Sequence, residues 1–391
     1  MPHAVIVDVV RTPSGRGKPG GALSDVHPID LAADVLTALL ERNGLESRQI
    51  DDVLMGCVSQ VGDQAMNIAR HAVLAAGFDE TVPAVTIDRQ CGSSQQAAHF
   101  AAQGVIAGAY DIVIAAGVES MSRVPLGSSR VGGTKAPGLV RRYPEGLVNQ
   151  GVSAELIAQK WGFSREELDA YAAESHRRAT DAWTRGLFDS QVVPVLAGEE
   201  AVAFDETVRA GTTVDSLAGL KPAFRTDELA VRFPDLDWRI TAGTASPLTD
   251  AASAALIMSE EKATELGLTP RARFHSFAVV GDDPVMMLTG PIPATRRILE
   301  RSGLSIDDLD ACEVNEAFAS VPLAWQHDLG ADPAKLNPWG GAIALGHAVG
   351  ASGTRLLGTL VSHLEATGGR YGLQAMCEGG GMANATIIER L

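Results

Sequence analysis

Residues 83–117 read PAVTIDRQCGSSQQAAHFAAQGVIAGAYDIVIAAG, and this stretch decides the fold class. The run 83–88 predicts a strand, the small residues from Cys91 to about Ala107 predict a helix, and 111–116 predicts a second strand. The same alternation continues along the chain, with strands predicted at 4–10, 51–58, 254–258, 272–280, 309–314, 371–377 and 384–389, and helices at 30–43, 65–76, 260–266, 293–302, 315–329 and 350–365. The sequence therefore predicts an α/β protein with buried strands.

The α/β pattern is interrupted once, between residues 119 and 250. This segment is rich in Gly, Pro and Arg, has few strand signals and carries a long charged helix at 164–185. We therefore predict an N-terminal half made of 1–118 and 251–271, an inserted domain at 119–250, and a C-terminal half at 272–391.

The two halves resemble one another in pattern. In the first half, Cys91 precedes a helix of small residues and a strand that ends at Gly117; in the second, His347 precedes a similar helix and a strand that ends at Cys377. Open α/β sheets bind ligands at the carboxyl ends of their strands. A duplicated α/β unit is thus expected to bring these loops to one shared site.

Charge and hydropathy exclude several classes of function. The net charge of −16 argues against a nucleic-acid partner, because phosphate backbones require clustered Lys and Arg. There is no apolar run of about 18 residues, so no membrane-spanning segment is predicted. The N-terminus lacks the basic region of a signal peptide, and four cysteines without paired spacing indicate reduced thiols in the cytoplasm.

The four cysteines fall into two groups. Cys57 and Cys312 lie in apolar, strand-like runs and are predicted to be inert core residues. Cys91 instead opens a helix, where the helix dipole lowers a thiol pKa and free backbone N–H groups can hold an oxyanion. A small core residue at a tight strand–helix junction is the alternative interpretation of Cys91.

Three further positions carry possible chemistry. His347 lies in a glycine-rich loop and can take a proton from a thiol or donate one to an enolate oxygen. Asn315 is either a helix cap or an amide that fixes a water at an oxyanion. Cys377 is followed by the glycines 379–381, whose N–H groups can form an anion-binding nest, and its thiol can exchange a proton with the carbon α to a thioester.

Basic residues cluster in segment 121–150 of this acidic chain. The segment has one acidic residue, Glu145, and five basic ones, Arg123, Arg130, Lys135, Arg141 and Arg142. It is either a solvated loop or a binding site for the anionic tail of a cofactor.

Together these motifs resemble those of the thiolase family, which contains acetyl-CoA acetyltransferases and 3-ketoacyl-CoA thiolases. The likeness covers nearly the full length and rests on the segments 11–13, 88–94, 117–122, 221–224, 241–246, 290–291, 315–318, 340–353 and 377–381. It implies two similar βαβαβαββ halves in a five-layer αβαβα arrangement, with 119–250 as a loop domain that carries CoA. It also implies coenzyme A as co-substrate, no permanently bound cofactor, no metal, and a homodimer or homotetramer.

The resemblance implies a role for each chemical group. Cys91 is the acylated nucleophile, His347 activates it and donates to the enolate oxygen, and Cys377 moves the proton at the α-carbon. Asn315 holds the water of that oxyanion site, and the N–H groups of Cys91 and Gly379 form the other one. The residues expected to bind substrate or CoA are Ser246, which touches the pantetheine arm, Met287 and Phe318, which line its tunnel, and Ala317, Lys221 and Arg141.

The sequence departs from the family pattern at several positions. Ala348 stands where Pro is frequent, Gln150 belongs to an Asn-Gln pair that replaces His-Met, and Leu288 stands where Gly is frequent. Glu378 follows the second cysteine and is expected to point away from Cys377, because neighbouring strand residues alternate faces. The changes at Gln150 and Leu288 favour a longer or unusual 3-ketoacyl chain. Residues 91–96 and the Gln150-Gly151 pair resemble degradative thiolases of fatty-acid or steroid side-chain β-oxidation.

Other functions stay open at this stage. A biosynthetic acetoacetyl-CoA thiolase and a non-catalytic acyl-CoA-binding protein share the same motifs. A condensing enzyme that uses acyl carrier protein is disfavoured by the second thiol, Cys377. A redox role for the cysteine pair is weaker, because neither cysteine belongs to a Cys-x-x-Cys motif.

Overall fold

The computed structural model describes residues 3–130, 132–134 and 136–391. The strands are β1 (Ala4–Arg11), β2 (Gly15–Arg16), β3 (Asp52–Gly56), β4 (Ala84–Ile87), β5 (Ile112–Ser120), β6 (Val195–Ala197), β7 (Glu200–Val202), β8 (Thr249–Ser259), β9 (Ala272–Gly281), β10 (Ala311–Val314), β11 (Tyr371–Glu378) and β12 (Met382–Arg390). The α-helices are α1 (Pro28–Asn43), α2 (Ile68–Ala75), α3 (Ser93–Ile106), α4 (Pro137–Arg142), α5 (Gln150–Trp161), α6 (Arg165–Thr184), α7 (Val214–Ala218), α8 (Asp227–Arg232), α9 (Glu260–Glu265), α10 (Pro291–Ser302), α11 (Ser320–Leu329), α12 (Ala342–Leu345) and α13 (Ser352–Thr367). Short 3-10 turns cover Ser47–Gln49, Gly62–Gln64 and Ser128–Arg130.

The two halves of the chain build two matching sheets. The N-terminal strands follow the order β4-β3-β5-β8-β1 and the C-terminal strands follow β9-β12-β11-β10. In both, parallel pairs lie on one side (β3 with β4 and β5, β10 with β11) and antiparallel pairs on the other. The sheets join where β1 pairs with β9 through Val5–Arg273 and Ile6–Ala272.

Side-chain packing separates the sheets and helices into five layers. Helices α1 and α2 bury their apolar faces against the outer face of the N-terminal sheet. Helices α3 and α13 share one core with the inner faces of both sheets. Helix α10 and Trp325 of α11 cover the outer face of the C-terminal sheet. The αβαβα arrangement predicted from the sequence is therefore confirmed.

Helices α3 and α13 approach each other closely in the middle layer. A Cβ atom at Gly353 would lie 2.1 Å from the backbone nitrogen of Gln95, so only glycine permits this crossing. The Ser94 hydroxyl accepts a hydrogen bond from the Thr354 N–H at 3.1 Å. The small residues of both helices thus bring the loops before them, with Cys91 and His347, to the same end of the layer.

The segment between β5 and β8 forms a unit of its own in sequence. It contains α4 to α8 and the short hairpin of β6 and β7. Strands β5 and β8 pair antiparallel, with Ser120 opposite Asp250, so the chain leaves and re-enters the N-terminal sheet at neighbouring positions. Among the helices that the structure describes, none is both long and apolar enough to cross a bilayer.

Candidate active site

Cys91 lies in the tight turn between β4 and α3. Gln90 adopts a positive φ of 49°, and the Ser93 hydroxyl closes the turn by accepting from the Arg89 N–H at 2.9 Å and donating to the Gln90 carbonyl. The Cys91 side chain is buried, with 4% of its surface exposed. The turn presents the thiol at the start of α3, as predicted.

Polar groups converge on the Cys91 sulfur. The pKa of this thiol is raised to about 12, with burial as the largest cause and the charge of the nearby Glu378 as the next, so the lowered pKa predicted for a thiol at a helix start is not found. Hydrogen bonds from the Gln150 side chain and from the N–H groups of Gly379 and Cys91 itself act in the opposite direction, because they stabilise the thiolate. The two backbone N–H groups expected to hold an oxyanion therefore both lie near this sulfur.

Cys377 occupies the end of β11 and is fully buried. Burial is the largest cause that raises the pKa of its thiol, and the neighbouring Cys91 adds to it. The Asn315 side chain hydrogen-bonds the Cys377 sulfur and lowers its pKa. The structure thus brings both thiols together and places the amide at the second one.

The hydrogen bonds around His347 identify its tautomer. The Ser352 hydroxyl donates its proton to the Ala348 carbonyl at 2.9 Å, so toward His347 Nδ1, 2.7 Å away, it acts as acceptor. Nδ1 therefore carries the hydrogen and Nε2 has a free lone pair. Nε2 faces the amide nitrogen of Asn315 at 3.4 Å.

His347 is neutral in this environment. Burial, followed by the charge of Arg355, lowers the pKa of His347 to about 3. Its backbone N–H donates to the Thr249 hydroxyl at 2.9 Å. Among the described residues, the ring hydrogen-bonds Ser352 and Asn315 but not Cys91. A neutral imidazole with an unprotonated Nε2 is suited to accept a proton from a thiol.

Asn315 is not a helix cap, and the helix predicted from residue 315 begins at Ser320. The reason is that the Asn315 N–H continues the strand ladder and donates to the Ala375 carbonyl at 3.0 Å. Its side-chain oxygen is buried and has no hydrogen-bond partner among the described residues. The amide is therefore held at the site with one acceptor available.

Apolar side chains form a wall beside Cys377. Met287, Ala317 and Phe318 are buried in one cluster with this thiol. Phe318 meets the ring of Phe224 edge-on, with centroids 5.5 Å apart. Half-buried Ser246 is fixed next to this wall, since its N–H donates to the Ala317 carbonyl at 3.0 Å. Four of the residues predicted to bind substrate thus lie together.

The family follows from comparison of the whole chain with known proteins. Residues 4–261 match the family model for the thiolase N-terminal domain, and residues 268–390 match that for the thiolase C-terminal domain. The chain belongs to the thiolase family. As a thiolase it is an acyltransferase.

Individual relatives cover this thiolase from end to end. It is 46% identical to a steroid 3-ketoacyl-CoA thiolase of Mycobacterium tuberculosis, over 100% of this chain and 95% of the relative. It is 44% identical to a 3-ketoacyl-CoA thiolase of Aliivibrio salmonicida, with 100% of both chains covered. The crystal structure of the Bacillus anthracis acetyl-CoA acetyltransferase superposes with a TM-score of 0.88 at 39% identity, covering 100% of this chain and 99% of that one.

The basic side chains predicted to cluster in this thiolase lie at separate places on its surface. Arg141 and Arg142 are exposed on α4, and Lys221 is exposed in a loop of the same inserted segment. Arg123 pairs with Asp63 at 2.8 Å, so its charge is neutralised. Lys135 lies outside the described residues. The exposed cations are not among the groups that contact the two thiols.

Three contacts of the thiolase site were not predicted from the sequence. Gln150 reaches Cys91, Ser352 sets the tautomer of His347, and Thr249 holds the His347 backbone. Away from the thiols and the His347 ring, Glu316 accepts hydrogen bonds from Tyr171, Ser175, Asn337 and the Ile343 N–H at 2.7–3.0 Å, which ties helix α6 to the strand end beside Asn315. Gln150 was visible as an unusual residue at a helix start, but the others carry no local signal.

Proposed function

We propose that this thiolase cleaves 3-ketoacyl-CoA with coenzyme A, giving a shortened acyl-CoA and acetyl-CoA, by a reversible Claisen reaction through an acyl group on Cys91. One observation carries the proposal: a thiol that receives two backbone N–H groups lies beside a second thiol, an amide and a neutral imidazole. Carbon–carbon cleavage needs a nucleophile, a proton donor and two oxyanion sites, and each has a candidate here.

The first half-reaction acylates Cys91. His347 Nε2 takes the thiol proton, and the sulfur attacks the 3-keto carbon, whose oxygen becomes negative. The N–H groups of Cys91 and Gly379, which lie near this sulfur, stabilise that oxygen. The bond between carbons 2 and 3 then breaks, leaving the acyl group on the sulfur and an enolate on the departing acetyl-CoA.

The enolate is resolved on the other side of the site. We assign its thioester oxygen to His347 and to a water held by Asn315, whose side-chain oxygen is available. Cys377 donates its proton to the α-carbon, which gives acetyl-CoA. In the second half-reaction, the Cys377 thiolate takes the proton of the CoA thiol and the CoA sulfur attacks the acyl-Cys91. The released Cys91 sulfur takes back the proton that His347 holds, and the shortened acyl-CoA leaves.

We assign substrate binding to the insertion. In this proposal 119–250 is the CoA-carrying loop domain, set between a half made of 1–118 and 251–271 and a half at 272–391. The apolar wall of Met287, Ala317 and Phe318, with Ser246 beside it, supports the position of the pantetheine arm. The exposed cations Lys221 and Arg141 suit the anionic end of CoA.

The substrate proposed is a 3-ketoacyl-CoA from fatty-acid or steroid side-chain degradation. The supporting observations are the relatives named for 3-ketoacyl-CoA and steroid 3-ketoacyl-CoA, and the buried Leu288 next to Met287. The alternative, acetoacetyl-CoA in a biosynthetic role, is favoured by the likeness to the acetyl-CoA acetyltransferase.

A homodimer or homotetramer in the cytoplasm is also proposed. Strand β4 ends the sheet order, and Val85 on it is 42% exposed. An edge strand with an exposed apolar residue favours pairing with another copy. The four cysteines are free and buried, which fits a reducing compartment.

Steady-state thiolysis tests the function. The rate of CoA-dependent cleavage should be measured for acetoacetyl-CoA, a long-chain 3-ketoacyl-CoA and a steroid-side-chain 3-ketoacyl-CoA. We expect kcat/KM to be highest for one of the two larger substrates. Highest efficiency with acetoacetyl-CoA would favour the biosynthetic alternative, and tight acyl-CoA binding without cleavage of any substrate would overturn catalysis altogether.

A further inference from the structure

A buried carboxyl group lies directly behind the Cys91 turn. Glu378 is fully buried at the end of β11. Its Oε1 atom lies 2.1 Å from the position that a Cβ of Gly92 would take, and the amide atoms of Asn384 lie 2.9 Å from the same point. The side chain of Glu378 therefore presses against the turn that carries Cys91.

The hydrogen bonds around Glu378 favour its neutral form. Neither carboxyl oxygen accepts a hydrogen bond from any residue that the structure describes. Asn384 Nδ2 is already committed to the Gly92 carbonyl at 3.1 Å, and Asn384 Oδ1 is itself an acceptor without a partner in the described chain. A carboxylic acid supplies an O–H that Asn384 Oδ1 can accept, whereas an ionised carboxylate adds further acceptors. The buried Nε of Arg89 also has no partner among the described residues, and it is the donor that would favour the ionised form.

The charged groups facing Glu378 come from two elements. Arg89 and Asp88 approach from the turn after β4 with opposite effects, and the thiols of Cys91 and Cys377 complete the surroundings. Burial is the largest cause and raises the pKa of Glu378 to about 8; Arg89 lowers it and Asp88 raises it. From β12, Asn384 contributes no charge.

Glu378 acts electrostatically on Cys91 more than on Cys377. After burial, its negative charge is the largest cause that raises the pKa of Cys91. For Cys377 it is the smallest of the causes. A charge placed here therefore opposes formation of the first thiolate in particular.

We propose that Glu378 is a positioning residue that controls the ionisation of Cys91: as a neutral acid it lets His347 draw off the thiol proton, and as a carboxylate it opposes that step. The proposal rests on Cys91 being the nucleophile of the proposed function. It predicts that acylation is hindered at alkaline pH, where Glu378 loses its proton, although a free thiol would become more reactive there.

The test is the pH dependence of Cys91 alkylation in the full-length enzyme. Iodoacetamide labelling is followed by mass spectrometry of the tryptic peptide 90–123, which contains Cys91 and no other cysteine. The native protein is compared with Glu378→Gln and with Glu378→Met, a second neutral variant for the case that the first fails to fold. Thermal unfolding at about pH 6.5 checks that each variant is folded.

Glu313→Gln is the matched control. Glu313 is buried on the neighbouring strand β10, has an oxygen without a partner among the described residues, and burial raises its pKa to about 8 as well. Its charged neighbours are Arg355, Glu316 and Arg178 rather than the groups around Cys91. This variant removes an equivalent buried carboxyl group away from the nucleophile.

The proposal predicts divergent profiles. Native and Glu378→Gln proteins should be alkylated at similar rates at about pH 6.5, and at about pH 9 the variant should react roughly three- to tenfold faster, because it lacks the opposing charge. Glu313→Gln should follow the native profile. Parallel profiles for native and Glu378 variants would overturn the proposal, and would indicate that Glu378 is held permanently ionised by Arg89.

Failure of the proposed function gives a different result. Alkylation needs no substrate, so it reports on Glu378 even if 3-ketoacyl-CoA is not cleaved. Transfer of a radiolabelled acyl group from acyl-CoA to peptide 90–123, measured on the same variants, reports on the nucleophile. If the pH profiles of alkylation diverge but no acyl group is transferred, the proposed function is rejected and the effect of Glu378 on Cys91 is retained. If the acyl group is transferred but the alkylation profiles run parallel, only the effect of Glu378 is rejected.

Discussion

Cys91 and Cys377 carry the same chemical group, a thiol, but their surroundings differ. Cys91 lies in a turn at the start of α3, where hydrogen bonds from Gln150 and two backbone N–H groups reach its sulfur. Cys377 ends a strand within an apolar cluster, and its side-chain hydrogen bond comes from Asn315. The first setting suits the proposed acyl carrier, because N–H groups near the sulfur can stabilise negative charge, and the second suits the proposed proton donor next to an apolar substrate.

The largest effects are expected from alanine substitution of each thiol, which should impair different steps of the reaction. Cys91→Ala should abolish acyl labelling and lower thiolysis by about four orders of magnitude or more, since the nucleophile is lost. Cys377→Ala should still acquire the acyl label on Cys91 but lose about 10²- to 10⁴-fold in carbon–carbon cleavage, the range of general acid–base catalysis. Label transfer and thiolysis measured in parallel decide this; an unlabelled Cys377→Ala protein would contradict the division of roles.

The next effect sharpens the assignment of Asn315 to the second thiol. Asn315→Ala removes the amide next to Cys377 and His347, and thiolysis should fall by about 10²- to 10³-fold, as for loss of an oxyanion-site donor. Acyl labelling of Cys91 should change by less than about tenfold. An equal loss in both measurements would show that Asn315 serves the Cys91 side as well.

The smallest effect concerns Gln150, which contacts the first thiol. Gln150→Leu should slow acylation of Cys91 by roughly tenfold, because a hydrogen bond that stabilises the thiolate is lost. Asn149→Ala is the control: Asn149 caps α5 through the Val152 N–H at 3.0 Å, so its loss should lower the free energy of unfolding by about 1 kcal/mol without slowing acylation. A similar acylation defect in both variants would assign the effect to the helix rather than to the thiol.

Local pattern was sufficient to predict most of the fold. The buried runs that became β5 and β11 and the small-residue stretches that became α3 and α13 each carry their own periodicity or composition. The five-layer arrangement came from the family resemblance rather than from periodicity. The helix start near residue 315 was wrong, because the backbone partner of Asn315 is Ala375, a residue distant in sequence.

The chemistry of the site was less accessible from the sequence. Glycines next to Cys91 and His347 showed where the backbone comes close to a ligand. The tautomer of His347 depends on Ser352, a serine at a helix start that is ordinary in sequence. Glu378 lies against Gly92 because two segments distant in sequence meet there. The alternation of side chains along a strand does not predict which distant segment a side chain will contact.

The pairing of Ser120 with Asp250 gives the insertion an evolutionary freedom that the catalytic loops lack. Both ends of the segment between them are fixed within one strand spacing, roughly 4.8 Å. Lengthening or remodelling the segment therefore leaves the register of β5 and β8 unchanged. Changes in the length of the segment beyond Gln150 and α6 can thus accumulate over evolution while both cysteines keep their positions.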